Sequence, residues 1–212
     1  MSANMVRIGG VMVFFLIVAV MVMGFVLAGT MVKMAGQESP DPAAFTSTFS
    51  MAIVLYLAIM IFVYWTTRGL FHAFGYRRAD TPIMTIMILM AVNLVLFLFG
   101  GAGAAPGGGA GSFDTLSAIT GLATVMAWIW FAIAAIGFGN HVGSRLWKAI
   151  GIVYLAGMIL AFAGNVLSMG GIAGATGLFL LLAGAIVLGG WVCHGIGLIV
   201  GSREMVRTSK GT

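Results

Sequence analysis

Six apolar runs, each long enough to cross a lipid bilayer, occupy most of this chain and leave nearly every charge to the short segments between them. At a rise of 1.5 Å per residue, about 20 apolar residues cover the roughly 30 Å of hydrocarbon in a membrane. The runs lie at about 8–32, 49–70, 83–99, 116–138, 147–167 and 172–200. They predict an all-α polytopic membrane protein, a bundle of six transmembrane helices forming a single transmembrane domain over residues 1–212. The first run follows Arg7 and has the position of a signal peptide. At about 25 residues it exceeds the 7 to 15 of a signal h-region, so it reads as a mature helix.

Composition closes the alternative of a water-soluble fold. Of 212 residues, 61% are hydrophobic and 7% charged, against about 25% charged in a soluble domain. So few charged side chains cannot cover the surface of a soluble fold of this size. The net charge of +5 does not imply nucleic acid, because the cations are spread over short loops instead of forming a patch. Their distribution sets an orientation. With the N-terminus in the cytoplasm, Arg7, Arg68, Arg77, Arg78, Arg145, Lys148, Arg203, Arg207 and Lys210 fall on the inside and only Lys33 outside, together with Glu38, Asp41 and Asp114. Both termini are therefore expected to be cytoplasmic, and the expected location is a bacterial cytoplasmic (inner) membrane.

Capping chemistry marks the helix starts. Asp41-Pro42 and Thr81-Pro82 each place a capping side chain before a proline suited to the first helical position, and Asp114 and Ser144 stand where they can cap the fourth and fifth helices. Within the helices, small residues recur at close-packing intervals: Ala135, Gly139 and Gly143; Gly157, Gly164 and Gly171; Gly170 and Gly174; Gly197 and Gly201. Such ridges let backbones approach where hydrophobicity gives helices no reason to associate, and they are read first as contacts inside one bundle and second as contacts between subunits. An echo at an offset of 64 residues, matching Ala73-Phe74-Gly75 with Gly137-Phe138-Gly139, suggests a parallel duplication of helical hairpins. The glycine-rich stretch at 100–112 lacks the Lys-Ser/Thr of a phosphate loop and reads as a connector.

The chemistry-bearing residues are few. No carboxylate falls inside a run: Glu38, Asp41, Asp80, Asp114 and Glu204 all lie in loops or the tail, which argues against a carboxylate-driven ion carrier. The single Cys193 excludes an internal disulfide and a Cys-x-x-Cys motif, and no metal site is expected. A serine nucleophile has no partner, since Ser117 lies near the outer surface and the histidines near the inner one, while Cys193 and His194, adjacent on a helix, point about 100° apart. Asn93, Thr120 and Thr124 sit nearest the span centres. They read as interhelical hydrogen-bonding groups, or alternatively as the lining of a small-solute channel.

His72, His141 and His194 all fall near cytoplasmic helix ends, where histidine beside tryptophan and arginine reads as an interfacial anchor. The alternative is a b-type cytochrome with haem between His72 and His194 and Arg68 near a propionate, since Trp65, Arg68, His72 and Tyr76 share one face and Trp191, His194 and Leu198 another. Depth opposes it: His72 precedes Arg77 by about 7 Å of helix and His194 precedes Arg203 by about 13 Å. The expected function is a non-catalytic integral membrane subunit that packs into, assembles or stabilises a larger membrane complex. Its expected partners are membrane lipids, other integral membrane subunits or further copies of itself, with no cofactor required.

Overall fold

The computed structural model describes residues 1–35, 42–100, 112–169 and 173–210, and the side chains at 1–22, 54–96, 119–164, 178–179 and 181–208. Among these are six helices: α1 Ala3–Ala35, α2 Pro42–Ala73, α3 Asp80–Gly100, α4 Ser112–His141, α5 Arg145–Met169 and α6 Ala173–Lys210. Five contain stretches long and apolar enough to cross a membrane, Ala3–Val22, Val54–Ala73, Ile119–His141, Arg145–Gly164 and Leu181–Thr208; the apolar stretch of α3, Asp80–Leu96, is shorter. Each expected run lies within a helix to within a residue, and the helices run further. The largest extension is in α6, which continues past Val200 through Arg203, Glu204 and Arg207 to Lys210. Hydropathy marks where a helix is apolar, whereas the backbone ladder continues wherever propensity permits.

Ser144 caps α5 as expected, its hydroxyl accepting from Trp147 N–H at 3.4 Å. At α3 the helix begins before the expected Thr81 cap: Asp80 is its first residue and Ile83 N–H donates to the Ala79 carbonyl at 3.1 Å. Pro82 is tolerated there because a first-turn N–H has no partner inside the helix. Helix α4 starts at Ser112, so Asp114 lies inside its first turn. The Asp41 cap, Glu38, the connector at 101–111, Gly170, Gly171, the side chains of Lys33, Asp114 and Ser117, and the surroundings of Gly174 fall outside what is described.

Helices α2 and α4 end the same way. Gly75 and Gly143 have φ of 73° and 70°, a left-handed conformation that glycine adopts without penalty. Beyond each, an N–H reaches back six residues inclusive, Tyr76 to the Phe71 carbonyl at 2.9 Å and Ser144 to the Gly139 carbonyl at 2.8 Å. These are Schellman turns, which reverse the chain and satisfy carbonyls the helix leaves open. Gly143 is thus a turn residue and its expected role in helix packing is corrected. The offset of 64 is not the register in which the two turns correspond, because Gly75 is equivalent in structure to Gly143 while Gly139 remains helical.

Consecutive helices pack against each other from α1 to α6, α6 closes on α1, and α2 also touches α6. Three expected glycines lie at such crossings. A Cβ on Gly157 would come within 2.7 Å of Val187, one on Gly197 within 2.9 Å of Ile150, and one on Gly201 within 2.8 Å of Leu70. A Cβ on Gly139 would lie 2.6 Å from the Lys148 backbone nitrogen, which places that residue at the α4–α5 turn; Gly164 is buried. One glycine-to-glycine approach was not anticipated. Gly10 of α1 faces Gly195 of α6, and a Cβ on either would lie 2.7 or 3.0 Å from the other's carbonyl oxygen.

Large rings fill the centre. Tyr64 and Phe71 of α2, Phe131 and Phe138 of α4, and Tyr154 of α5 are fully buried. Phe71 stacks on Phe138 at 4.0 Å between centroids, with Trp147 edge-on to both, so α2, α4 and α5 meet through aromatic side chains. The first helix, whose valine, methionine and phenylalanine content suggested an outward role, is split. Phe15, Val18, Met21 and Val22 are exposed, whereas Val6, Val13, Leu16 and Ile17 are in the core.

Candidate functional site

The polar centre of the bundle is His194. On α6, Trp191, His194 and Leu198 occupy one helical face and all three are buried, His194 to 2% exposure. On α2 the inward face carries Met60, Val63, Tyr64, Thr67 and Phe71, and on α5 Trp147, Ile150 and Tyr154. These faces converge so that His194 Nε2 lies 2.8 Å from Thr67 Oγ1 and Nδ1 lies 3.1 Å from Tyr154 Oη. The proton positions follow from the partners. Thr67 Oγ1 is 2.8 Å from the Val63 carbonyl, which only accepts, so the threonine proton is spent there. Nε2–H must then donate to Thr67, leaving Nδ1 to accept from the Tyr154 hydroxyl. One neutral imidazole thus ties together α2, α5 and α6 with each of its polar atoms matched.

Aromatic rings enclose the imidazole. Phe131 stacks on it at 5.8 Å, and Tyr64, Trp147 and Tyr154 stand edge-on at 6.1, 5.5 and 5.9 Å. Beside it is a cavity of about 10 Å³ lined by Val13, Leu16, Met60, Tyr64, Trp191 and His194, among others, a volume on the order of one water molecule. Among the described residues Tyr64 Oη and Trp191 Nε1 are buried without a hydrogen-bonding partner, and both side chains line that cavity.

The interfacial-anchor reading of His194 is therefore corrected: the residue lies inside the bundle. The haem alternative gains no support from the geometry. Both ring nitrogens of His194 are engaged, the adjoining space is far smaller than a porphyrin, and His72 faces elsewhere, with its Nε2 on Asp80 Oδ1. The expected face of Trp65, Arg68, His72 and Tyr76 also breaks, because α2 ends at Ala73 and Tyr76 lies beyond the turn. Nor does Cys193 have an imidazole to activate it, since both nitrogens of its neighbour are taken.

Arg68, His72 and Asp80 form a second cluster. Arg68 Nε donates to Asp80 Oδ1 at 3.0 Å and His72 Nε2 meets the same oxygen, closing the turn from α2 into α3. Burial raises the Asp80 pKa, and the hydrogen bonds and charges of His72 and Arg68 outweigh it, holding the carboxyl below its usual 3.8. A carboxylate with a depressed pKa stabilises the fold above its unfolded value, and that contribution is lost as pH falls through the folded one. We expect Asp80→Asn to cost under about 1 kcal/mol at pH 7, since the pair is about a third exposed. It should also remove part of the decline in stability below pH 4, read as unfolding midpoints between pH 7 and pH 3. An unchanged acid limb would remove Asp80 from that account.

Asn93, Thr120 and Thr124 are brought together by α3 and α4. Asn93 Nδ2 donates to Thr124 Oγ1 at 3.1 Å, and the Thr124 hydroxyl donates to the Thr120 carbonyl at 2.7 Å. This is the interhelical bond expected of a costly amide, and it commits to packing the groups that the channel alternative requires as a lining. Among the described residues no group of three or more His, Cys, Asp or Glu side chains is arranged to hold a metal.

Comparison with known protein families, curated proteins and solved structures finds no match. The functional reading therefore rests on this geometry alone.

Sequence reasoning missed Tyr64, Thr67 and Tyr154 as partners of His194, and Asp80 as the partner of Arg68 and His72. The second was within reach: a cation and a histidine four residues apart at a helix end, followed after a glycine turn by an acid opening the next helix. The first was not, because no pattern in α2 or α5 singles out one apolar face.

Proposed function

We propose that this chain is an integral membrane protein that crosses the bilayer six times with both termini in the cytoplasm. It serves as a non-catalytic subunit that packs into, assembles or stabilises a larger membrane complex. The observation that carries this reading is the way the inward polar groups are used. His194, Thr67, Tyr154, Asn93 and Thr124 are spent on joining helices, and the space beside His194 is about 10 Å³. A transported solute or a reacting substrate would need groups held in reserve with room beside them, and the two left over, Tyr64 Oη and Trp191 Nε1, face only that small space. What remains to interact is the outside. Phe15 at 63% exposure, Trp130, Ile133 and Leu181 at 75% exposure present large apolar side chains to lipid or to other subunits.

The orientation follows from the basic residues clustered at one set of helix ends, and α3, at 21 residues, gives about 32 Å of helix, enough to cross. The test is purification of the tagged protein from membranes in mild detergent, with cross-linking and mass spectrometry on the intact fraction. The expected result is a reproducible integral membrane partner cross-linked through the outward faces of α1, α4 or α6. A stable, lone monomer after gentle extraction would overturn the subunit reading, and recovery in the soluble fraction would overturn the membrane reading as well.

A further inference from the structure

Two open pockets lie at the end of the bundle where α2 turns into α3, and their charges differ. The first, about 510 Å³, is lined by Met1, Met5, Trp65, Arg68 and His72, and its cationic groups are answered by Asp80. The second, about 590 Å³, lies between the α2–α3 turn and the end of α4 and holds Arg77 and Arg78 beside Tyr76, Asn140 and His141. Among the described residues neither Arg77 nor Arg78 pairs with a carboxylate, and the only ion pairs involve Asp80.

Arginines after a helix commonly serve its last carbonyls. Here most of those carbonyls are already matched. Leu70, Phe71 and His72 accept from the N–H groups of Phe74, Tyr76 and Gly75, and on α4 Phe138 and Gly139 accept from Val142 and Ser144. The Phe74 carbonyl accepts from His141 Nε2 at 3.1 Å. Among the described residues, then, neither guanidinium is engaged in capping or in an ion pair.

The walls around them are fixed by packing. His141 ties the end of α4 to the α2 turn, and the Tyr76 ring packs against Phe138 at 5.7 Å and His141 at 5.5 Å. Gly137 makes this possible, since a Cβ there would run into the Tyr76 hydroxyl. We propose that this pocket binds a phosphate-bearing anion, held by the forks of Arg77 and Arg78 with Asn140 in reach, and that its source is the headgroup of an anionic lipid. Guanidinium meets phosphate through paired N–H donors, and a basic pocket between helices at the cytoplasmic level is where such a headgroup would lie. The choice of lipid as the source rests on the membrane reading above; the anion chemistry does not.

The test is native mass spectrometry of the full chain in mild detergent, titrated with phosphatidylglycerol, with phosphatidylcholine, and with inorganic phosphate as competitor. Arg77→Gln/Arg78→Gln is expected to weaken phosphatidylglycerol binding by about tenfold or more. Arg203→Gln/Arg207→Gln, which removes equal charge from α6, should change it less than about twofold. Gly137→Ala, which displaces Tyr76 without altering charge, should weaken it too. Equal loss in the two double variants, or unchanged binding in Gly137→Ala that retains its unfolding midpoint, would overturn the site in favour of diffuse surface charge. Arg77-dependent displacement by millimolar phosphate would keep the site and overturn lipid as its source. Because the readout is on the isolated chain, absence of partner proteins leaves it standing.

Discussion

Gly10→Leu is expected to separate α1 from α6 and to lower the stability of the detergent-solubilised protein by about 3 kcal/mol or more, with the first helix becoming accessible to protease. The reason is what a side chain would meet. A Cβ on Gly10 would stand 2.7 Å from the Gly195 carbonyl oxygen and 3.2 Å from the Ile199 backbone nitrogen, and backbone cannot rotate aside as the end of a side chain can. Gly10→Ala should already cost about 1 to 3 kcal/mol. Gly195→Ala should cost a similar amount, and the two together less than their sum, because the first alanine has already opened the crossing that the second would clash with. Gly121→Ala is the control: a Cβ there meets nothing within 4 Å, so the better helix propensity of alanine should leave stability equal or slightly raised. Equal effects at Gly10 and Gly121, measured by unfolding in increasing dodecyl sulfate, would show that the α1–α6 approach contributes nothing.

The glycine contact also shows what kind of information the sequence withheld. The helical segments were legible because the length and composition that suit a bilayer can be read in each one separately. Which residues of a segment face inward was not, because both faces of these helices are apolar and no stripe marks the core. Ile86 is fully buried and Ile88, two residues on, is 57% exposed. Trp191 is buried and Trp130 half-exposed, although both sit within apolar helices. Spacing within one helix suggested Gly157, Gly197 and Gly201 and these do lie at crossings, whereas Gly10 and Gly195 meet only across space and neither belongs to a pattern that names the other. The amide–threonine bond between α3 and α4 was anticipated from cost alone, since a buried Asn93 needs a partner and few are available at its depth. His194 follows the same rule, yet its place toward the basic end of the last run suggested the membrane edge. Helix α6 continues past Arg203 to Lys210, so a basic residue did not mark its end.

That placement makes His194 the residue whose loss should cost most among the polar positions. His194→Leu removes both hydrogen bonds and leaves the Tyr154 hydroxyl buried without an acceptor. About 2 to 3 kcal/mol is expected, the desolvation cost of an orphaned group plus imperfect filling of the ring's site. Single interhelical bonds in membranes average about 0.6 kcal/mol because the separated helices find other partners, so Tyr154→Phe alone should cost nearer 1. Its damage is the unmatched Nδ1 lone pair. In the double variant neither orphan remains, and the cost should fall short of the sum by about 1 kcal/mol. His194→Gln, which can still donate toward Thr67 but cannot fill the imidazole's place among Phe131, Trp147 and Tyr154, should lie between wild type and leucine. Additive losses in the double-mutant cycle would mean that Tyr154 and His194 stabilise the bundle independently, through ring packing alone. Coupling would mean that the imidazole holds α5 and α6 in register through its bond to Tyr154, with the bond to Thr67 left to do the same for α2.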